Sequence, residues 1–361
     1  MNELRIGILS TAGIGRQNWK AVVNSGNAVV TAVASRDVAR AREFIRKCQQ
    51  EFPFAAEPAA LGSYEKLLAS RDVDAVYLPV PTGLRKEWVL RAAAAGKHVV
   101  CEKPCGVNLA DVQEMAAACR KNRVQFMDGV MFMHSPRLPR LREVLDDGKS
   151  VGPVRWIASA FSFLGAGDFA RRNIRADGRL EPTGCLGDLG WYCIRFTLWA
   201  LKWRLPHTVS GRILSRSKAD AGRQPAPMEF SGELFFADGV SAGYYSSFLA
   251  APQQWVFVSG RDGWLRLPDF VHPFNGYEPS FEVNRKEFQI AAARGAPRPA
   301  PGADLAETGH PTAQNTRMFR NFANQVFSGK LNDDWPMWAL KTQQVLDGCF
   351  ASARRGRPIE L

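Results

Sequence analysis

No Cys-x-x-Cys pair occurs in this chain. Its seven cysteines, at 48, 101, 105, 119, 185, 193 and 349, are odd in number and scattered. Cys101 and Cys105 are four apart, but they flank a Lys-Pro turn and no His pair lies near them. That argues against a zinc site and a disulfide framework, and reduced, mostly buried thiols are expected. No apolar run approaches the ~18 residues of a membrane span. Met1 to Ile8 enters a strand-like run without the basic, apolar and small-residue order of a secretory leader, so a cytoplasmic protein is expected. The net charge is +12, yet there is no long basic run and no nucleic-acid reader motif. A phosphorylated cofactor or anionic substrate needs only a few of these cations. The rest are solvated faces, and nucleic acid is not an expected partner.

What is present is a chain built to fold. At 361 residues, 46% hydrophobic and 23% charged, it can bury the cores of two ordinary domains. Strand-like runs at Leu4–Leu9, Ala28–Ala34, Val73–Leu78, His98–Cys101 and Val124–Asp128 alternate with helical segments. One helix follows Gly13 and stops at Gly26. One follows Asp37 and runs to about Gln50. One is capped by Thr82 and ends at Gly96. One is capped by Asn108, with Asp111 three residues on, and ends near Asn122. Such alternation predicts a parallel sheet covered on both faces. Beyond about residue 150, strands follow one another at Val154–Phe163, Thr208–Leu214, Phe230–Phe236, Val240–Phe248, Gln254–Ser259 and Gly263–Leu267. Asp238-Gly239 marks a tight hairpin. Helices are predicted at Leu186–Lys202, Thr312–Ser328 and Met337–Ala353, and Ala291–Ala306 reads as a surface loop. There is no internal repeat.

The first strand runs into Ser10-Thr11-Ala12-Gly13-Ile14-Gly15 and then a helix, where a dinucleotide-binding turn belongs. Of the Gly-x-Gly-x-x-Gly fingerprint only Gly15 remains, with Ser10 and Ala12 at the first two glycine positions. Small residues still let the backbone approach a pyrophosphate. Alone, the stretch suits a plain strand–helix turn equally well. At the end of the second strand stands Ser35-Arg36, where Asp or Glu would bind the ribose hydroxyls of NAD. An Arg suits the 2′-phosphate of NADP, and a Ser can donate to it. Asp37 comes one place late and reads as a helix cap. NADP(H) is therefore preferred, with NAD(H) the alternative.

Two further clusters bear on chemistry. The run His98-Val99-Val100-Cys101 delivers Glu102-Lys103-Pro104 to a strand's carboxyl end, where open α/β sheets bind ligands. The bland alternative for Lys103 is a solvated strand-end lysine. Residues 184–195 read Gly-Cys-Leu-Gly-Asp-Leu-Gly-Trp-Tyr-Cys-Ile-Arg, so Asp188, Tyr192 and Arg195 are predicted on one helix face. The structural alternative has Asp188 capping the helix and Tyr192 packing at its rim.

The nucleotide loop, Glu102-Lys103-Pro104, and the Gly-x-x-x-Asp-x-Gly-x-Tyr of Gly184 to Tyr192 together resemble the Gfo/Idh/MocA oxidoreductases over nearly the whole chain. Tyr192 stands where inositol dehydrogenases have His. It is more similar to the dihydrodiol dehydrogenase, glucose–fructose oxidoreductase, anhydrofructose reductase and sugar ketoreductase branches, which mostly use NADP. The resemblance implies an α/β fold with a doubly wound Rossmann domain over residues 1–130. Residues 131–361 would form an α+β domain on a large, mostly antiparallel open sheet, often used for dimerisation. A homodimer or dimer of dimers is expected, with no metal.

The cofactor would be held by Ser10, Thr11, Ala12, Gly13, Ile14, Gly15, Ser35, Arg36, Pro79, Thr82, Glu102 and Lys103. Lys103 would contact the nicotinamide ribose and the reacting oxygen, Tyr192 would act as acid or base, and Asp188 would position a sugar, polyol or diol. A free tyrosine has a pKa of about 10, so a neighbouring ammonium helps it serve as a base. His134, Arg172, Arg175 and Arg195 are candidate substrate contacts, against a structural histidine and a solvated basic loop. Arg85 stands where the family usually has His, and its role is open. Two other readings are a non-catalytic NADP-binding sensor or scaffold, and a redox-neutral sugar-converting enzyme with tightly held NAD.

Overall fold

The computed structural model describes residues 3–218, 222–273, 280–285 and 313–361. They form two compact units. Unit one comprises the described residues to His134, the segment Arg179–Glu181 and the described residues from Ala313 to Gln343. Unit two holds the remainder. A late helix and the three-residue segment thus group with the first unit, by packing against its helices.

Unit one contains β1 (Leu4–Leu9), α1 (Gly13–Ser25), β2 (Ala28–Ala34), α2 (Val38–Glu51), β3 (Ala59–Leu61), α3 (Tyr64–Ala69), β4 (Ala75–Leu78), α4 (Thr82–Ala94), β5 (His98–Cys101), α5 (Leu109–Lys121) and β6 (Phe126–Asp128). The sheet order is β3-β2-β1-β4-β5-β6, all parallel. This is the doubly wound order, whose crevice opens beyond β1 and β4. The central strand β4 is apolar throughout and fully buried, as a strand covered on both faces requires. Asp37 and Asn108 cap α2 and α5 by accepting from Ala39 N and Asp111 N. Thr82 does not cap α4. Pro81 stands at the cap, and Thr82 is the first helical residue.

Unit two contains α6 (Arg137–Asp146), β7 (Val154–Ser162), α7 (Phe169–Arg172), α8 (Trp191–Ala200), β8 (Thr208–Arg216), β9 (Pro227–Phe235), β10 (Ser241–Ser247), β11 (Gln253–Gly260), β12 (Gly263–Leu267) and β13 (Glu282–Arg285). The late helices are α9 (Gln314–Phe327), in unit one, and α10 (Asp334–Arg355). A short β14 (Ile359–Glu360) ends the chain. The eight-stranded sheet runs β13-β12-β11-β7-β10-β9-β8-β14 and is antiparallel except at the β7–β10 pair. Every α8 residue is buried, and the helix packs on β7. The short α3, α7, β3, β13 and β14 and the charged α6 escaped the sequence reading. The stretch Ala291–Ala306 lies outside the described residues.

Asp188 sits not in an α-helix but in a π-helical turn, Leu186–Gly190, that leads into α8. The wider turn changes the angular step, so the simple i, i+4, i+7 face fails here. Gly184, at φ 48°, is required just before it, because a Cβ there would lie 2.1 Å from the Pro227 carbonyl of β9.

All seven cysteines are buried and outside disulfides. Burial pushes the Cys48, Cys119, Cys193 and Cys349 thiols up to about 12. At about pH 8 an aromatic disulfide reagent should therefore titrate none of them in the native protein and all seven after unfolding. Rapid native labelling would show that the packing is looser than described.

Candidate active site

At the end of β1, Ser10 adopts φ 130°, backbone that favours glycine. Its hydroxyl donates to the Pro79 carbonyl at 3.0 Å and accepts from Ala12 N at 3.3 Å. These bonds hold the β1 loop to the turn after β4 and offset the strain that glycine would have avoided. Gly13 has open space where a Cβ would stand, while the buried Gly15 faces Phe44 at 3.4 Å. Ala12 caps α1 without a side-chain hydrogen bond, and the first turn holds no acidic residue. The helix therefore starts with N–H groups that no side chain answers and with the positive end of its dipole, which suits a pyrophosphate. Thr11 and Ala12 are half-buried and Ile14 is exposed beside it.

At the end of β2, Ser35 is buried and Arg36 is exposed. Asp37 is spent on its cap and lies 3.8 Å from Arg40 Nε. No carboxylate of this turn is left for a ribose, while a guanidinium is presented. These residues fit a dinucleotide carrying a 2′-phosphate.

Beyond β4 and β5 the loops are tied from inside. Thr82 is buried, and its hydroxyl donates to Glu181 Oε2 at 2.5 Å. Glu181 also accepts from Thr82 N at 3.1 Å, and Gly83 N donates to the Leu180 carbonyl at 3.2 Å. Glu181 thus acts as the carboxylate cap of α4, a residue the sequence reading missed because it lies about 100 positions away. Glu102 is buried and turned inward. It accepts from Tyr77 Oη at 2.6 Å and lies 3.5 Å from Asn18 Nδ2. Burial, then the Glu102 charge, raises the Tyr77 hydroxyl well above its ordinary pKa. The side chains of Thr82 and Glu102 are therefore committed to the protein. Lys103, half-buried, follows Glu102, and its peptide bond to Pro104 is cis.

His134 belongs to unit one, not to the second domain as expected. Its Nδ1 lies 3.1 Å from Asn321 Nδ2 and its ring 5.9 Å from Trp335. With Trp335 and Trp338 it lines a pocket of about 390 Å³ on that unit.

In unit two, Arg175 Nε meets Asp188 Oδ2 at 2.8 Å, joining two residues selected separately from the sequence. Tyr192 is 5% exposed and packs edge-on to Phe161, whose ring also meets His272. Phe161 and His272 gave no signal beyond ordinary strand and loop residues. Arg172 pairs with Asp168 on the exposed α7. Arg195 is wholly buried between Trp191 and Trp203. It was expected as a substrate contact, and its guanidinium here lies 5.6 and 5.9 Å from the centroids of those two rings.

A sheet of this order with such a loop at its switch point has the Rossmann arrangement of dinucleotide-binding domains. Residues 4–130 match the model of an oxidoreductase family with an NAD-binding Rossmann fold, and residues 139–266 match the GFO/IDH/MocA C-terminal domain. The chain belongs to the Gfo/Idh/MocA oxidoreductases. It is 30% identical to D-xylose 1-dehydrogenase (NADP(+)) 2 of Haloferax volcanii, over 99% of this chain and 100% of that one. It is 33% identical to mouse (Mus musculus) trans-1,2-dihydrobenzene-1,2-diol dehydrogenase, over 79% and 80%. A solved 3-ketoreductase from Actinomadura kijaniata, in complex with TDP-benzene and NADP, superposes with TM-score 0.79 at 26% identity, over 97% of this chain and 98% of that one.

Replacing Ser10 by Ala keeps the strained φ and removes both hydrogen bonds, so a loss of about 1–3 kcal/mol is expected. Ser10→Gly relieves the backbone and should cost less. Urea unfolding of both variants checks this, and an Ala variant as stable as the Gly variant would contradict it.

Proposed function

We propose that the chain is an NADP(H)-dependent dehydrogenase or reductase that moves a hydride between nicotinamide and a CH–OH or C=O carbon of a sugar, polyol or diol. NAD(H) is the weaker cofactor. The observation that carries this reading is Lys103 at the carboxyl end of β5, in a sheet whose β2 end presents Ser35-Arg36 and whose first helix starts without an acidic cap. The activities of the relatives, on D-xylose and on a dihydrodiol, support the substrate class.

Bound nicotinamide supplies or accepts the hydride. The chain's own residues handle the proton and the anions. The N–H groups that start α1 take the pyrophosphate, and Arg36 takes the 2′-phosphate through charge-assisted hydrogen bonds. Lys103 meets the nicotinamide ribose and the reacting oxygen, where its ammonium stabilises developing negative charge. Tyr192 Oη gives the proton in reduction and takes it in oxidation. Asp188, held by Arg175, orients a substrate hydroxyl.

The same proposal covers assembly as a homodimer, or a dimer of dimers, through the sheet of unit two. Trp156, Phe257 and Trp264 form an aromatic row across three adjacent strands, with ring centroids 6.1 and 5.2 Å apart, and Trp156 is 45% exposed. A partly exposed aromatic stripe of this kind suits a protein partner. Seven buried cysteines outside disulfides support a cytoplasmic setting.

Turnover of NADP⁺ with D-xylose and with trans-1,2-dihydrobenzene-1,2-diol tests the activity. Lys103→Met should lower kcat by about 1000-fold or more while NADPH binding remains measurable. Full activity in that variant removes Lys103 from the mechanism. Arg36→Glu should weaken NADPH by roughly 10- to 100-fold and leave NADH less affected. An equal loss for both cofactors would refute the 2′-phosphate contact.

A further inference from the structure

Arg85 replaces the histidine usual in the family and lies in the first turn of α4, 6% exposed. Its Nε donates to the Val80 carbonyl at 2.9 Å, and its Nη1 donates to the Pro104 carbonyl. Val80 lies in the turn that leaves β4, and Pro104 in the turn that leaves β5. One rigid, planar guanidinium therefore joins the mouths of two adjacent strands. A neutral imidazole is shorter and has a single N–H, so it cannot make this fork. Desolvating a guanidinium is costly, and an apolar side chain would fill α4's inner face at lower cost.

The opposite side of the same turn is also held. Lys103 N donates to Glu102 Oε2 at 3.3 Å, and Glu102 is fixed by Tyr77, which in turn accepts from Asn18 Nδ2 at 2.6 Å. Polar side chains buried in unit one thus grip the N–H of Lys103 and the carbonyl of Pro104. Between those two grips the Lys103 backbone has little freedom, so the direction in which its side chain leaves the strand is set.

We infer that Arg85 is the positioning residue for Lys103: it fixes the Lys103-Pro104 turn so that the lysine ammonium meets the nicotinamide ribose. This rests on the reading of Lys103 proposed above and adds the residue that makes it effective. Arg85 touches neither cofactor nor substrate in this scheme.

Binding alone tests it, by fluorescence titration of the full chain with NADPH and with adenosine 2′,5′-bisphosphate, which lacks the nicotinamide half. Arg85→Met should weaken NADPH about 10-fold, the scale of one lost hydrogen bond to a charged group, and leave the bisphosphate within about twofold. In a Lys103→Met background the same substitution should change NADPH affinity by less than about twofold, because the residue it positions is gone. Arg85→Lys, which keeps one donor and the charge, should recover part of the loss. Equal weakening of both ligands, an undiminished NADPH effect in the Lys103→Met background, or no effect at all overturns the inference. If Arg85→Met does not fold, Arg85→Gln is titrated against the same outcomes. Lys103→Met binding NADPH as tightly as the unaltered chain would instead overturn the ribose contact itself, a result read without touching Arg85.

Discussion

A carboxylate inside the Rossmann unit must be answered by donors, and the arrangement around Glu102 follows from that requirement. Isolated burial of such a charge costs far more than a domain's net stability can absorb. Tyr77 donates from the neighbouring strand β4 at 2.6 Å, and Lys103 N donates at 3.3 Å. Asn18, on α1, donates to Tyr77, and its Oδ1 accepts from Asn315 of α9 at 3.3 Å. The network therefore joins the first helix, two central strands and a helix from the far end of the chain. Even Gly129 serves it, since a Cβ there would stand 3.2 Å from Glu102 Oε1. Lys103 leaves the sheet from the next residue, so its placement inherits the rigidity of the whole set.

Much of this was legible. Largely apolar runs marked β1, β2, β4 and β5, because strands covered on both faces leave little room for polar alternation. Asp37 and Asn108 announced their helices, because a short side-chain acceptor beside the first turn is a local device. The nucleotide loop was harder. Ser10 broke the fingerprint, and only the structure shows its hydroxyl replacing what glycine offers through backbone freedom. That compensation runs to Pro79, 69 residues away, and no local pattern encodes it.

The same distance limit explains the other differences. Thr82 looked like a cap because the residue type is right, but the acceptor that serves α4 is Glu181, brought in by a segment whose sequence neighbours belong to unit two. The strands β3, β13 and β14 are too short for periodicity to register. Helix α9 was visible as a helix, but which sheet it covers depends on Asn315 and Phe319 meeting Asn18 and Tyr77. Those contacts belong to tertiary structure alone.

Unit two shows how a motif can be right in composition and different in geometry. Gly184 fits because β9 passes too close for any side chain. Asp188 lies within the π-turn that follows, whose wider winding alters the angular step from it into α8. Asp188 then takes Arg175 as its partner, while Arg195, one turn beyond Tyr192, is drawn between two tryptophans. An ion pair that retains partial solvent access, with 43% and 14% of the two side chains exposed, can exchange partners at modest cost. A fully buried guanidinium cannot, since leaving its aromatic enclosure would open a cavity in α8's core. The two arginines therefore differ in setting: Arg195 is enclosed in the helix that carries Tyr192, and Arg175 pairs with Asp188 at the partly exposed turn before it.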